Sequence, residues 1–131
     1  MPRILSVGQC GFDQFSISRH LKSGFGAEVA TADTASQAIA AIKNQQFDLV
    51  LVNRILDADG SSGLDLIQAI KTDPRLSHSA VMLVSNYPEA QGQAETLGAL
   101  PGFGKADIRS SKVRQSLGSL LNPAVALPTN V

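Results

Sequence analysis

Short, continuously apolar runs alternate along this chain with segments in which apolar residues recur every three or four positions. Residues 49–52 and 81–84 are apolar throughout, a pattern typical of strands buried on both faces of a parallel sheet. Weaker runs cover residues 4–7, 27–30 and 100–103. The alternation predicts five strands, each followed by a helix, in a doubly wound α/β domain with right-handed crossovers.

The helical segments are marked by their spacing and by signals at their ends. Thr34 with Gln37 resembles a capping box, and Gly26 and Gly98 are typical of helix ends. The apolar faces predicted from the spacing are Phe15, Ser18 and Leu21; Ala35, Ala38, Ile39 and Ile42; Leu64, Ile67 and Ile70; Ala90, Ala94 and Leu97; and Val113, Leu117, Leu120 and Leu121.

Length and composition exclude several classes of protein. A chain of 131 residues with 44% hydrophobic content fits one folded domain and is too apolar for disorder. Its 11 basic and 11 acidic residues cancel, so bulk attraction to nucleic acid or to a membrane surface is not expected. We expect a domain over residues 1–121, a flexible tail over 122–131, and, without a signal peptide or membrane span, a cytoplasmic location.

The cysteine and histidine counts limit metal and redox chemistry. Cys10 is the single cysteine and there are two histidines, which excludes an internal disulfide and makes a Cys- or His-rich metal site unexpected. Cys10 follows the first strand near a helix start, where a thiolate is stabilised. A redox role and a small half-buried residue are both open, and we favour the second.

Polar residues follow the predicted strands, at the edge where doubly wound sheets bind their ligands. These candidate site residues are Gly8, Gln9 and Cys10; Asn53 and Arg54; Ser85 and Asn86; and Gly104 and Lys105.

The order of several segments resembles the receiver domain of two-component response regulators. The segments are 47–53, 63–67 and 81–85, then Gly98-Ala99 followed by Lys105, and the resemblance covers roughly residues 3–121. It implies a flavodoxin-like (βα)5 fold with strand order 2-1-3-4-5. It also implies a role in signal transduction through a protein partner, such as a histidine kinase or an output protein, as a monomer or weak homodimer.

A working receiver of that family transfers a phosphoryl group onto its own aspartate, with Mg²⁺ held by a pair of acids. At the acceptor position this chain has Asn53, and at the acid pair it has Gly8 and Gln9, whereas Ser85 and Lys105 match the positions that contact phosphoryl oxygens. An amide is neither charged nor a useful phosphoryl acceptor, and Mg²⁺ rarely binds without carboxylates. We therefore predict no phosphorylation at position 53, no cofactor and no metal.

The loop after the third strand looks about two residues longer than is usual in the family. Its Asp57 and Asp59 could swing into the site and restore a Mg²⁺ ligand, although turn formation by Asp, Gly and Ser accounts for the same composition. Without the three acids, Lys105 needs another partner, and Asp57, Asp59 and the Asn53 side-chain oxygen are the candidates. Ser85 is open to an ordinary helix-entry role.

These departures predict a protein-interaction module that works without phosphorylation and is not an enzyme, with no direct contact to nucleic acid or membrane. An exposed Tyr87 would favour an interface role. Two alternatives stay open. One is a receiver phosphorylated on another side chain, such as Ser61, Ser62 or Asp57. The other is a small-anion or ligand-binding module built on the same scaffold.

Overall fold

The computed structural model describes residues 2–121, which form a five-stranded parallel sheet with helices on both faces. The elements are β1 (Arg3–Val7), α1 (Gly11–Phe25), β2 (Glu28–Ala32), α2 (Ala35–Asn44), β3 (Leu49–Asn53), α3 (Gly63–Thr72), β4 (Val81–Val84), α4 (Pro88–Thr96), β5 (Leu100–Phe103), a 3-10 helix (Lys105–Arg109) and α5 (Ser111–Leu121). The strand order is β2-β1-β3-β4-β5, which confirms the predicted fold class. The predicted tail, 122–131, lies outside the described residues.

The sheet separates two hydrophobic cores. Side chains of β1 and β3 alternate between them, as the period of a strand requires: Leu5 and Val50 face α2, α3 and α4, whereas Ile4 and Leu49 face α1 and α5. The β4 strand is buried along its whole length, as its continuously apolar sequence predicts. None of the helices within residues 2–121 is long and apolar enough to cross a membrane.

Helix ends follow the signals in the sequence with one shift. The Thr34 hydroxyl accepts a hydrogen bond from the backbone N–H of Gln37, but the Gln37 side chain accepts from Asp33 N–H rather than from Thr34. The box is therefore closed one residue earlier than predicted. Helix α1 ends at Gly26, whose φ of +62° is the left-handed conformation that favours glycine.

Two details of the sequence prediction are wrong, and one element is missing from it. Helix α1 turns Ile17 and Leu21 into the core, and Phe15 is 68% exposed, because Ile17 and Leu21 share a stripe that Phe15 does not. Strand β2 covers Glu28–Ala32 instead of residues 27–30, since its pairing with β1 extends to the end of that strand. The 3-10 helix was not predicted; it is short, and Ile108 alone is buried.

Candidate functional site

Asn53 is the last residue of β3, and its side chain forms hydrogen bonds with the backbone of two other residues. Its Nδ2 donates hydrogen bonds to the carbonyl oxygens of Gly8, at 3.0 Å, and Ile55, at 2.8 Å. Both amide hydrogens are thereby used. The side chain at the family's acceptor position thus ties the end of β1 to the loop that follows β3.

Gly8, at the first acid-pair position, leaves no room for a side chain. Its φ is +75°, and a Cβ placed there would clash with the Leu56 side chain and lie 2.9 Å from Leu56 Cα. Leu56 is fully buried, and the N–H of Asp57 donates to Gly8 O at 2.9 Å. The loop after β3 is therefore folded onto the end of β1, and an apolar side chain fills the space beside position 8.

Gln9, at the second acid-pair position, is only 7% exposed. Neither its amide nitrogen nor its amide oxygen has a hydrogen-bond partner among the described residues. A buried amide without partners costs roughly 1–3 kcal/mol. The amide carries no charge, so it supplies no anionic ligand for a cation.

Lys105 has a partner that the sequence did not indicate. Its Nζ lies 2.6 Å from Asp13 Oδ2, and the two side chains are 36% and 24% exposed. The prediction of Asp57, Asp59 or Asn53 as the partner of Lys105 is therefore wrong. Asp13 lies in the first turn of α1, and the docking of that helix beside the 3-10 helix brings the two groups together.

The Asp13 carboxylate also receives a second donor. The half-buried Cys10 thiol donates to the same Oδ2 at 3.2 Å. The hydrogen bond from Lys105 is the main reason that the pKa of Asp13 lies below its usual value, and the bond from Cys10 adds to it. The sequence does contain one signal for a role of Asp13. An acid in the first turn of a helix is stabilised by the positive end of the helix dipole.

The two loop acids make no hydrogen bond or ion pair with Cys10, Asp13 or Lys105. Asp57 and Asp59 are exposed. Asp59 Oδ1 accepts from the Ser61 hydroxyl at 2.7 Å and from the Ser61 N–H at 2.9 Å, and these bonds lower the pKa of Asp59. The loop is therefore shaped by a local Asx-type turn.

The residues of this edge do not fit a magnesium ion. Position 8 carries no side chain, position 9 carries a neutral amide, and the Asn53 amide is committed to backbone carbonyls. Mg²⁺ normally needs one or two carboxylates. Within residues 2–121, no three His, Cys, Asp or Glu side chains are grouped so as to hold a metal ion.

Ser85 is buried at the end of β4 and makes the contact of a helix-entry hydroxyl, because its Oγ accepts from the N–H of Tyr87 at 3.1 Å. The structure brings Asn53, Ser85 and Lys105 to one cavity of about 220 Å³, which Arg54 also lines. It does not bring Gly8, Gln9, Asp57 or Asp59 to that cavity.

Tyr87 lies beside this cavity and is 59% exposed. The Arg54 guanidinium stacks on its ring, 4.8 Å from the ring centroid. At this distance the cation is attracted to the face of the aromatic ring. Both side chains line a neighbouring cavity of about 330 Å³ between the β3–α3 loop and α4. The sequence analysis placed Arg54 at a strand end but did not indicate its pairing with Tyr87.

The chain is similar to solved receiver domains. It matches the receiver domain of a DNA-binding response regulator from Colwellia psychrerythraea 34H with a TM-score of 0.77 and 19% identity, over 92% of this chain and 98% of the other. The chemotaxis response regulator CheY4 of Vibrio cholerae matches with a TM-score of 0.69 and 19% identity, over 92% and 99%.

A third similar structure is the N-terminal domain of a response regulator receiver protein from Methanoculleus marisnigri JR1. Its TM-score is 0.65 at 21% identity, over 77% of this chain and 80% of that one. No protein-family model and no curated protein matches the chain. The architecture, the strand order and these similarities show that the chain has the receiver fold of two-component response regulators.

Proposed function

We propose that this chain is a receiver-fold signalling domain that acts through contacts with a protein partner and without aspartyl phosphate. The observation that carries the proposal is the Asn53 side chain, whose two amide hydrogens are bonded to Gly8 O and Ile55 O. A group held in this way is a structural connection between strand ends. The Asn53 side chain is therefore not a free acceptor for a phosphoryl group.

The surroundings of Asn53 support the same proposal. Phosphoryl transfer relies on a positioned nucleophile and on cations that neutralise the developing charge. Leu56 fills the space beside Gly8, and the Lys105 ammonium is engaged by Asp13. Positions 8, 9 and 53, where the resemblance places the acids of a working receiver, therefore carry no acid, and Lys105 is paired with Asp13.

The Arg54–Tyr87 pair supports the interaction part of the proposal. Aromatic residues and arginine are enriched at the centres of protein interfaces, where they contribute much of the binding energy. Tyr87 is 59% exposed and lies next to a partly apolar cavity. A domain that no longer switches by phosphorylation would use such a surface constitutively or under another signal.

The test is incubation of the protein with acetyl phosphate and Mg²⁺, followed by intact mass spectrometry. We expect no phosphoryl adduct, whereas an active receiver treated in parallel acquires one. An adduct would contradict the proposal. Peptide mapping of that adduct would then identify its position and test for phosphorylation of Ser61, Ser62 or Asp57.

A second candidate function is the binding of a small anion. It is favoured by the 220 Å³ cavity, because Arg54 and Lys105 both line it together with the Ser85 and Asn86 side chains. Calorimetric titration with inorganic phosphate tests this function. Binding that Arg54→Gln weakens at least tenfold would support it, and heats equal to those of dilution would exclude it.

A further inference from the structure

The charges of this neutral chain are divided between two regions of the molecule. Helix α1, the 3-10 helix and α5 contain six lysines and arginines and two aspartates. The rest of the chain therefore contains five basic and nine acidic residues. The first region carries a net charge of +4 and the remainder −4, so the positive charge is concentrated on the side of the sheet that α1 and α5 cover.

The positive region also exposes two large aromatic side chains. Phe12 is 82% and Phe15 68% exposed on α1, and Arg19 and Lys22 follow at positions that lie on the same side of the helix. Large apolar side chains this exposed on one helix face often mark an interaction surface. We call this surface, formed by Phe12, Phe15, Arg19 and Lys22, the aromatic-basic face.

The negative region contains the cavity of about 330 Å³ beside Tyr87. Ile55, Leu64 and Ala90 supply apolar walls, and the charged residues of its lining are Glu89 and Arg54, whose guanidinium stacks on the Tyr87 ring. All of its lining residues come from the stretch 54–96, which contains six acidic and three basic residues. We call this surface the acceptor cavity.

Exposed apolar side chains are concentrated on these two surfaces. Among the described residues five large hydrophobic side chains are exposed, and four of them are Phe12 and Phe15 on one surface and Ile55 and Tyr87 on the other. The surfaces lie on opposite faces of the sheet, because α1 packs in one core and α3 and α4 in the other. One molecule therefore cannot bring its own two surfaces together.

We propose that the aromatic-basic face of one copy docks on the acceptor cavity of a second copy, with Phe12 and Phe15 against the apolar walls and Arg19 and Lys22 beside Glu89. In this contact, the protein partner of the function proposed above is a second copy of the chain, so this inference rests on that proposed function. Because it joins two different surfaces, it is a head-to-tail contact that extends into a chain or closes into a ring.

Sedimentation velocity over a range of concentrations tests the contact. We expect wild-type protein to associate as its concentration rises, with a dissociation constant at least about tenfold weaker at ~0.5 M than at ~0.05 M salt, since exposed charges are screened. Phe12→Ser/Phe15→Ser removes the apolar contacts of one surface, and Ile55→Lys places a cation at the other. Leu100→Ser, which changes the fifth exposed hydrophobic side chain, is the matched control and should associate like wild type.

Mixing the two variants is the decisive arm of the experiment. Each is expected to be monomeric alone, and an equimolar mixture should form a one-to-one dimer that grows no further, because each molecule keeps one intact surface. Monomeric wild-type protein at all concentrations overturns the proposal. Variants that melt like wild type but fail to pair when mixed overturn it as well. Neither result depends on phosphorylation, which the phosphodonor experiment tests separately.

Discussion

At the scale of single residues, the residues at the strand ends make contacts that stabilise the fold. Asn53 bonds to two backbone carbonyls, Gly8 allows Leu56 to pack against β1, and Lys105 is paired with Asp13. The sequence could predict that Asn53, Ser85 and Lys105 meet, because strand ends meet at one edge of a parallel sheet. It could not predict the pairing with Asp13, which depends on how α1 is rotated.

Replacing Asn53 tests its structural role. Asn53→Ala should lower the free energy of unfolding by about 1–2 kcal/mol, because two hydrogen bonds to carbonyls are lost. Asn53→Asp should lower it at least as much, since a carboxylate cannot donate and would face the same carbonyl oxygens. Urea denaturation measures both values. An aspartate variant as stable as wild type would contradict this role.

Gln9 should tolerate loss of its polarity. Gln9→Met keeps the length of the side chain and removes two buried groups that lack partners, so stability should be unchanged or rise by about 1 kcal/mol. Gln14→Met is a matched control, because Gln14 donates a hydrogen bond to Ser18 at 2.6 Å and its loss should not be stabilising. Thermal and urea unfolding compare the two, and a clear destabilisation by Gln9→Met would show that the amide has a partner.

The Asp13–Lys105 pair predicts a pH dependence of stability. The pKa of Asp13 in the folded chain lies below the ordinary value of 3.8. Its contribution is therefore present above pH 3.8 and is lost as the pH falls from there through the folded-state pKa. Because both side chains are partly exposed, we expect no more than about 1 kcal/mol.

Asp13→Asn should remove that part of the acid-induced loss. Urea unfolding at a series of pH values from neutral to acidic measures it, with Asp65→Asn, an exposed aspartate on α3, as the control. Equal pH profiles for wild type and Asp13→Asn would contradict the stabilising role of the pair.

At the scale of elements, the apolar runs predicted the strands well and the helix faces less completely. Strands β3 and β4 are buried on both sides, so their continuous runs identify them without reference to orientation. The face of α1 is different: only Ile17 and Leu21 are buried in it, and two exposed phenylalanines obscure the stripe. Strand β5 contains Pro101 and Gly102, and its pairing with β4 depends on contacts distant in sequence.

The β4–β5 register is supported by a side chain from α4. Gln91 Nε2 donates to the carbonyls of Leu83 and Ser85, and its Oε1 accepts from Gly102 N–H. These bonds cross the place where the ladder between β4 and β5 is irregular. A glutamine side chain thus supplies pairing that the two backbones do not complete.

Gly102→Ala should be strongly destabilising, by about 2 kcal/mol or more, because a Cβ there would collide with the carbonyl oxygen of Leu83. Gly92→Ala on α4 has no atom within 4 Å of the added carbon and should stabilise by up to about 1 kcal/mol through helix propensity. Chemical denaturation of the two variants measures the sign of each change in the free energy of unfolding. If Gly102→Ala is as stable as wild type, β5 must shift easily to make room for the added Cβ.

At the scale of the whole molecule, the chain has a receiver fold, and we propose that it works without the phosphoryl-transfer chemistry of a receiver. The sheet order and the two cores form with Gly8, Gln9 and Asn53 at the strand ends, so this architecture does not require acids at those positions. The net charge of zero is the sum of a positive region, which contains α1 with its exposed phenylalanines, and a negative remainder, which contains the acceptor cavity. Composition alone could not reveal that division, since it depends on which helices share a face.

The central claim is that position 53 carries a structural amide and that the chain is not phosphorylated there or on a neighbouring side chain. The most direct measurement is the intact mass of wild type and of Asn53→Asp after treatment with acetyl phosphate and Mg²⁺. We predict that neither gains a phosphoryl group, because position 8 has no side chain and position 9 has no charge. A phosphoryl adduct on the wild-type chain would contradict the account.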